Sequence, residues 1–228
     1  MTEFTWAKDR EKAVVDLAFV LAVFAAGSLS VPFMNPILRR GHGVAGALFA
    51  AAYQFTLEGL APLIMMLVRR ERASKFGLIR RNLSPSLGFA LAFAAIYDVL
   101  FSLSRHRVLW LPLARQPAVR MSLAASPLSA LVGLTITVLV WGAAEGLFGV
   151  YISQKLATAT RTSRRGWFAP GVLGYAGFNG AIHLIVGEGL EGFTFSFLSG
   201  YAIAVIPSVT GNAWGSLAVQ TLTNAVGR

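Results

Sequence analysis

Five ionisable side chains lie inside apolar stretches of this sequence, and they are its first candidates for chemistry. They are Asp16, Glu58, Asp98, Glu145 and His183. A charged group near the centre of a bilayer costs at least about 2.5–3.5 kcal/mol on insertion scales, so each of these residues needs a structural or functional reason. Asp16 lies one turn inside its stretch and is expected to reach the interface. Glu58 and Asp98 lie deeper, and we interpret them as structural partners of an arginine or as protonated acids.

Glu145 and His183 differ from the other three because amide side chains accompany them. Asn179 precedes His183 by four residues, which puts both on one helix face, and the last apolar stretch repeats this spacing with Gln220 and Asn224. Glycine and alanine around Glu145 allow neighbouring helices to approach closely. Three helices would then bring together a carboxylate base, an imidazole and amide donors for an oxyanion. The alternative is an interhelical hydrogen-bond network that only holds the helices together.

The composition indicates that membrane-spanning helices position these residues. Of the 228 residues, 55% are hydrophobic and only 13% are charged. Soluble domains carry roughly 25% charged residues, so the composition argues against a soluble enzyme, a coiled coil or a disordered chain. The sequence has no cysteine, which excludes disulfides, zinc–thiolate sites, iron–sulfur clusters and cysteine nucleophiles. We predict an all-α, polytopic transmembrane bundle of about six to eight spans, in one domain.

Apolar runs long enough to cross a bilayer, about 20 residues each, set the predicted spans. Six are strong and a seventh, at the C-terminal end, is short. They are Val14–Ile37, Val44–Val68, Leu87–Leu103, Leu123–Ile152, Trp167–Val186, Phe193–Ser208 and Ala213–Val226.

The distribution of lysine and arginine predicts the orientation of the bundle. With the N-terminus in the cytoplasm, thirteen of the twenty basic residues fall on the cytoplasmic side, six of them in the loop Arg69–Asn82. The stretch Val108–Ala118 is a candidate half-inserted segment. The formal charge of +10 fits loops beside anionic lipid rather than nucleic acid. We therefore expect an integral protein of the bacterial inner membrane, with the bilayer as its first partner.

The order of these residues resembles the CPBP family, which comprises CAAX prenyl endopeptidases and bacteriocin-processing "Abi" proteins, regarded as glutamic intramembrane proteases. The segment Thr210–Asn224 is similar to the family's T-G-S-L-W…H-x-x-x-N ending. Phe76–Arg80, followed by Ser84–Phe89, is similar to the family's entry into its early membrane helices. The resemblance covers most of Phe76–Val226. We take 76–228 as a CPBP-like core that follows N-terminal spans at 1–75.

Each motif of the family is partly retained. In E-E-x-x-x-R, Glu145 is either the first Glu, with the second Glu and the Arg replaced, or the second Glu, with Gly149 at the Arg position. F-x-x-x-H retains its histidine as His183. H-x-x-x-N retains its asparagine as Asn224 and has Gln220 in place of histidine. The resemblance implies that Glu145 and His183 activate water and that Asn224, with Gln220, stabilises the oxyanion.

The replaced motif positions favour a non-catalytic relative. A missing arginine removes a counter-charge, a glutamine cannot shuttle protons, and the loss of one oxyanion donor costs roughly 10²–10³ in rate. We predict an accessory or scaffold subunit of a membrane assembly, with other membrane proteins as partners and with no cofactor or metal. The alternatives are a metal-independent glutamic peptidase, an ion-coupled transporter that uses Glu58, Asp98 and Glu145, and a pigment protein with one contact at His183.

Overall fold

The computed structural model describes residues 3–40, 43–106, 126–162 and 165–224. Helices are the regular secondary structure of these ranges, and they follow the predicted apolar segments in order. The described helices are α1 Glu3–Arg40, α2 43–68, α3 Leu83–Ser104, α4 Pro127–Ala159, α5 Pro170–Ile185, α6 Gly189–Thr210 and α7 Trp214–Asn224, with a 3₁₀ turn at Ala73–Phe76. The predicted half-inserted segment 108–118 lies outside the described residues.

The prediction of an all-α membrane bundle is confirmed. Five of the described helices, α1 to α4 and α6, are long and apolar enough to cross a membrane. This number is below the predicted six to eight because α5 and α7 have only 16 and 11 residues. At about 1.5 Å per residue they extend roughly 24 and 16 Å, less than the roughly 30 Å of a hydrocarbon core.

Local sequence explains where several helices begin and end. Pro127 and Pro170 stand in the first turns of α4 and α5, where the missing backbone N–H costs no hydrogen bond. Ser126 caps α4, because its Oγ accepts the backbone N–H of Ser129 at 3.1 Å. Gly211 ends α6 with φ of +72°, a conformation that favours glycine.

The centre of the bundle is built from α4 and α6, with α1, α5 and α7 packed around them. Val150, Tyr151 and Ile152 of α4 are fully buried, as are Ile203 and Ile206 of α6. Helices approach closely where α4 carries glycine. A side-chain carbon on Gly142 would overlap Thr221 Oγ1 of α7, so α7 can pack this closely against α4 only because Gly142 has no side chain.

A buried asparagine joins the last turn of the chain to the loop after α2. Asn212 Nδ2 donates to the carbonyl oxygens of Ile79 and Arg81 at 2.6 and 2.7 Å, and its Oδ1 accepts the backbone N–H of Trp214. Ser86 Oγ donates to the carbonyl oxygen of Asn212. These bonds fix the end of the bundle where α2 and α4 finish and α3 and α5 begin, which we call the Arg69 end.

Candidate functional site

Two π-helical segments place the two deepest glutamates of the bundle. α2 is π-helical over Phe55–Gly59, which contains Glu58, and α4 is π-helical over Thr137–Ala144, directly before Glu145. The segments touch, because a side-chain carbon on Gly59 would lie 3.0 Å from Cβ of Ala144. π-Helical segments are rare in proteins. Where they do occur, they are often at functional sites. Here they turn two carboxyl side chains toward the same region.

Gln54 connects these two carboxylates. Its Nε2 donates to Glu145 Oε1 at 2.6 Å and to Glu58 Oε1 at 3.0 Å. These two lengths add to 5.6 Å, the largest separation that the two acceptor oxygens can have. The sequence-based expectation for Glu58 was an arginine partner or a protonated carboxyl, and the structure places a glutamine amide beside it.

Gln220 of α7 approaches Glu145 from the opposite side. Its Nε2 donates to Glu145 Oε2, so each carboxylate oxygen of Glu145 accepts a hydrogen bond from a different glutamine. Glu145 is 7% exposed and Gln220 is 8% exposed. Gln220 Oε1 is buried and has no hydrogen-bond partner among the described residues. Glu145 therefore links α2, α4 and α7, and we call Gln54, Glu58, Glu145 and Gln220 the glutamine-held cluster.

His183 lies near the end of α5 that faces away from the Arg69 end. Its Nδ1 is 2.9 Å from Oε2 of Glu188, which immediately precedes α6. Asn179, on the same face of α5, donates from Nδ2 to the carbonyl oxygen of Ser196 in α6. The four predicted site residues are Glu145, His183, Gln220 and Asn224. Among them, the structure brings Glu145 and Gln220 into contact. The side chain of Asn224 lies outside the described residues.

Asp98 on α3 is a further candidate carboxylate. Its Oδ1 is buried and has no hydrogen-bond partner among the described residues. The neighbouring ring of Tyr97 packs edge-on against Phe195 of α6 and stacks with Phe101. These rings join α3 to α6 next to Asp98 in the sequence.

A second cluster of charged residues, which the sequence analysis did not assemble, lies at the Arg69 end. Asp16 is 0% exposed and accepts hydrogen bonds from Arg69 Nε at 2.8 Å and from Lys155 Nζ at 2.6 Å. Lys155 Nζ also donates to Glu71 Oε1 at 2.9 Å, and Lys75 pairs with the same carboxylate. Depth along the predicted spans could have revealed this cluster, because all these residues fall within about a turn of one bundle end. We call it the ion-paired cluster.

Two cavities lie at the Arg69 end. One, of about 200 Å³, is lined by Ser153, Ala169 and Pro207 among others, and the other, of about 720 Å³, adjoins the ion-paired cluster. None of Glu145, Gln220 and His183 lines either of them. Within the described ranges, no group of three or more His, Cys, Asp or Glu side chains is placed to hold a metal ion.

Compared with models of protein families, with curated proteins and with solved structures, the chain matches none of them.

Proposed function

We propose that this protein is a non-catalytic, multi-pass membrane protein with CPBP-like motifs that serves as an accessory or scaffold subunit of a membrane assembly. One observation carries the proposal: both oxygens of the Glu145 carboxylate accept hydrogen bonds from glutamines of two other helices. In this position Glu145 holds α2, α4 and α7 together. Hydrogen bonds between helices within a membrane are worth roughly 0.6–2 kcal/mol each.

Peptide hydrolysis would require more than this arrangement supplies. A general base needs a water molecule within hydrogen-bond reach and room for a substrate carbonyl beside it. Glu145 lines neither cavity at the Arg69 end, and the imidazole of His183 bonds to Glu188, which lies between α5 and α6. Gln220, at the position of the family's last histidine, donates to Glu145 rather than toward an open site. These features support a structural role for the retained motif residues.

The assembly role is tested with a conservative substitution. In Glu145→Gln the new amide Oε1 can accept from Gln54, and its Nε2 can donate to Gln220 Oε1 once the Gln220 amide turns over. We expect normal protein level and the same co-purifying membrane proteins as for wild type in mild detergent. Loss of these proteins in Glu145→Gln at an unchanged protein level, or a wild-type chain that purifies alone, would contradict the proposal.

A second candidate function, proton-coupled transport, is favoured by the proximity of Glu58 and Glu145. Two ionised carboxylates no more than 5.6 Å apart in an apolar bundle repel each other, and a shared proton relieves that repulsion. Infrared spectroscopy of the reconstituted protein tests this idea through the stretching band of a protonated carboxyl group. A proton shared by Glu58 and Glu145 is supported if the band is lost in Glu58→Gln and in Glu145→Gln but is retained in Asp98→Asn. If all three variants retain the wild-type band, the candidate fails.

A further inference from the structure

A cavity of about 720 Å³ lies at the Arg69 end, between the first turns of α1, the loop after α2 and the last turns of α4. Six basic and three acidic residues line it, a formal excess of three positive charges. The basic residues are Lys12, Arg69, Arg70, Arg72, Lys75 and Lys155. The acidic residues are Asp9, Asp16 and Glu71.

Two of the three acids are already neutralised inside the protein. Asp16 forms ion pairs with Arg69 and Lys155, and Glu71 forms ion pairs with Lys155 and Lys75. These ion pairs account for three of the six basic residues. They also hold the cavity wall in place, because Asp16 is fully buried and Lys155 is nearly so.

The other three basic residues have no partner in the described part of the chain. Lys12, Arg70 and Arg72 are exposed, and none of them has an ion pair or a side-chain hydrogen bond with a described residue. They come from two elements, α1 and the loop after α2, and line one cavity. Arg70 is held there with φ of +53°, in the left-handed region that non-glycine residues seldom adopt. The only acid left to oppose these cations in the cavity lining is Asp9.

We propose that this cavity binds a phosphate-bearing anion. Guanidinium groups form paired hydrogen bonds with phosphate oxygens, and an ammonium group adds a third cation from another direction. The volume is in the range of small-molecule sites. The cavity lies where the apolar helices begin, at the end that the sequence predicts to be cytoplasmic, so a phospholipid headgroup is within reach. Free phosphate has the same chemistry, and the experiment distinguishes the two sources.

The experiment measures thermal unfolding of the purified full chain in neutral detergent during titration with short-chain phosphatidylglycerol. A ligand that binds only the folded state raises the unfolding midpoint as its concentration increases. We expect a saturable rise with phosphatidylglycerol and none with phosphatidylcholine. The double variant Arg70→Gln/Arg72→Gln should need about tenfold to thirtyfold more lipid for the same rise. Lys12→Gln, on the other wall, should need about fivefold more.

The chain offers a matched control in the same loop. Arg80 and Arg81 do not line the cavity, and replacing both by glutamine removes the same charge. Arg80→Gln/Arg81→Gln should respond as wild type does, whereas equal weakening in both double variants would mean diffuse attraction and overturn the proposal. Inorganic phosphate is titrated in parallel. A rise with the lipid alone identifies a headgroup site, and a rise with both identifies a phosphate site. An absence of response to either would also overturn the proposal.

Discussion

The bundle holds two pairs of carboxylates in two different ways. At the Arg69 end, Asp16 and Glu71 share the ammonium group of Lys155, and further basic side chains complete the neutralisation. In the glutamine-held cluster, Glu58 and Glu145 instead share the neutral amide of Gln54. Asp16 and Glu145 are buried, Glu58 and Glu71 are partly buried, and each pair joins segments that are distant in sequence.

The difference follows from depth in the bundle. Lysine and arginine have long side chains that reach the interface from the end of a helix, so ion pairs form readily there. At mid-bundle a neutral amide avoids bringing a full positive charge into the apolar region. The comparison implies that the ion-paired cluster depends on charge. The glutamine-held cluster depends on hydrogen-bond geometry.

The largest effect should come from removing the shared cation. Lys155→Met leaves Asp16 and Glu71 with carboxylate oxygens within 5.5 Å, the sum of their 2.6 and 2.9 Å bonds to Nζ, and Asp16 is fully buried. We expect the free energy of unfolding to fall by about 3–5 kcal/mol. Reversible unfolding in mixed micelles provides the measurement.

Lys75→Met is the matched control for that change. It removes a cation from the same Glu71 carboxylate, but Lys75 is 49% exposed, so its loss should cost only about 0–1 kcal/mol. Equal losses for Lys155→Met and Lys75→Met would mean that burial does not set the strength of the ion-paired cluster.

An intermediate effect is expected from Gly142→Ala. The added methyl group would collide with the side chain of Thr221 and force α7 away from α4, which separates Gln220 from Glu145. Overpacking of this kind costs about 1–3 kcal/mol of unfolding free energy. Gly177→Ala on α5 is the control, because nothing lies within 4 Å of the added carbon. A Gly142→Ala protein as stable as Gly177→Ala would show that α7 does not need this close approach.

The smallest expected effect is the coupling free energy between the side chains of Glu145 and Gln220. In a double-mutant cycle with Glu145→Leu and Gln220→Leu, we expect a coupling free energy of about 1–2 kcal/mol, because each single change leaves a buried polar group without its partner. The same unfolding measurement gives all four values. Additive losses would argue against the hydrogen bond between these two side chains as a source of stability.

The sequence predicted the helices more completely than the contacts between them. Apolar runs of about 20 residues mark the five long helices, and shorter runs mark α5 and α7, so the all-α bundle follows from composition and spacing alone. The proximity of Glu145 and Gln220 was among the expected contacts, because both lie at mid-span on faces with small or polar neighbours. Gln54 was not recognised, since a single glutamine in an apolar run carries no pattern of its own.

Other features depend on information that a linear pattern does not contain. The π-helical segments that orient Glu58 and Glu145 cannot be predicted from residue spacing. The role of Asn212 as the bond between two loops depends on their position in three dimensions. Asp16 was expected near the interface, and it lies at a bundle end, but its full burial and its ion pairs with Lys155 and Arg69 depend on contacts between remote parts of the chain.

The central claim is that Glu145 holds helices together and does not activate water. It is tested most directly by incubating the wild-type protein and Glu145→Gln, reconstituted in lipid, with prenylated CAAX peptides and a mixed peptide library. Mass spectrometry then records new peptide termini. We predict that neither protein produces cleavage above an empty-vesicle control. Cleavage by wild type that falls by the roughly 10²–10⁴ of a lost general base in an equally stable Glu145→Gln protein would contradict the claim.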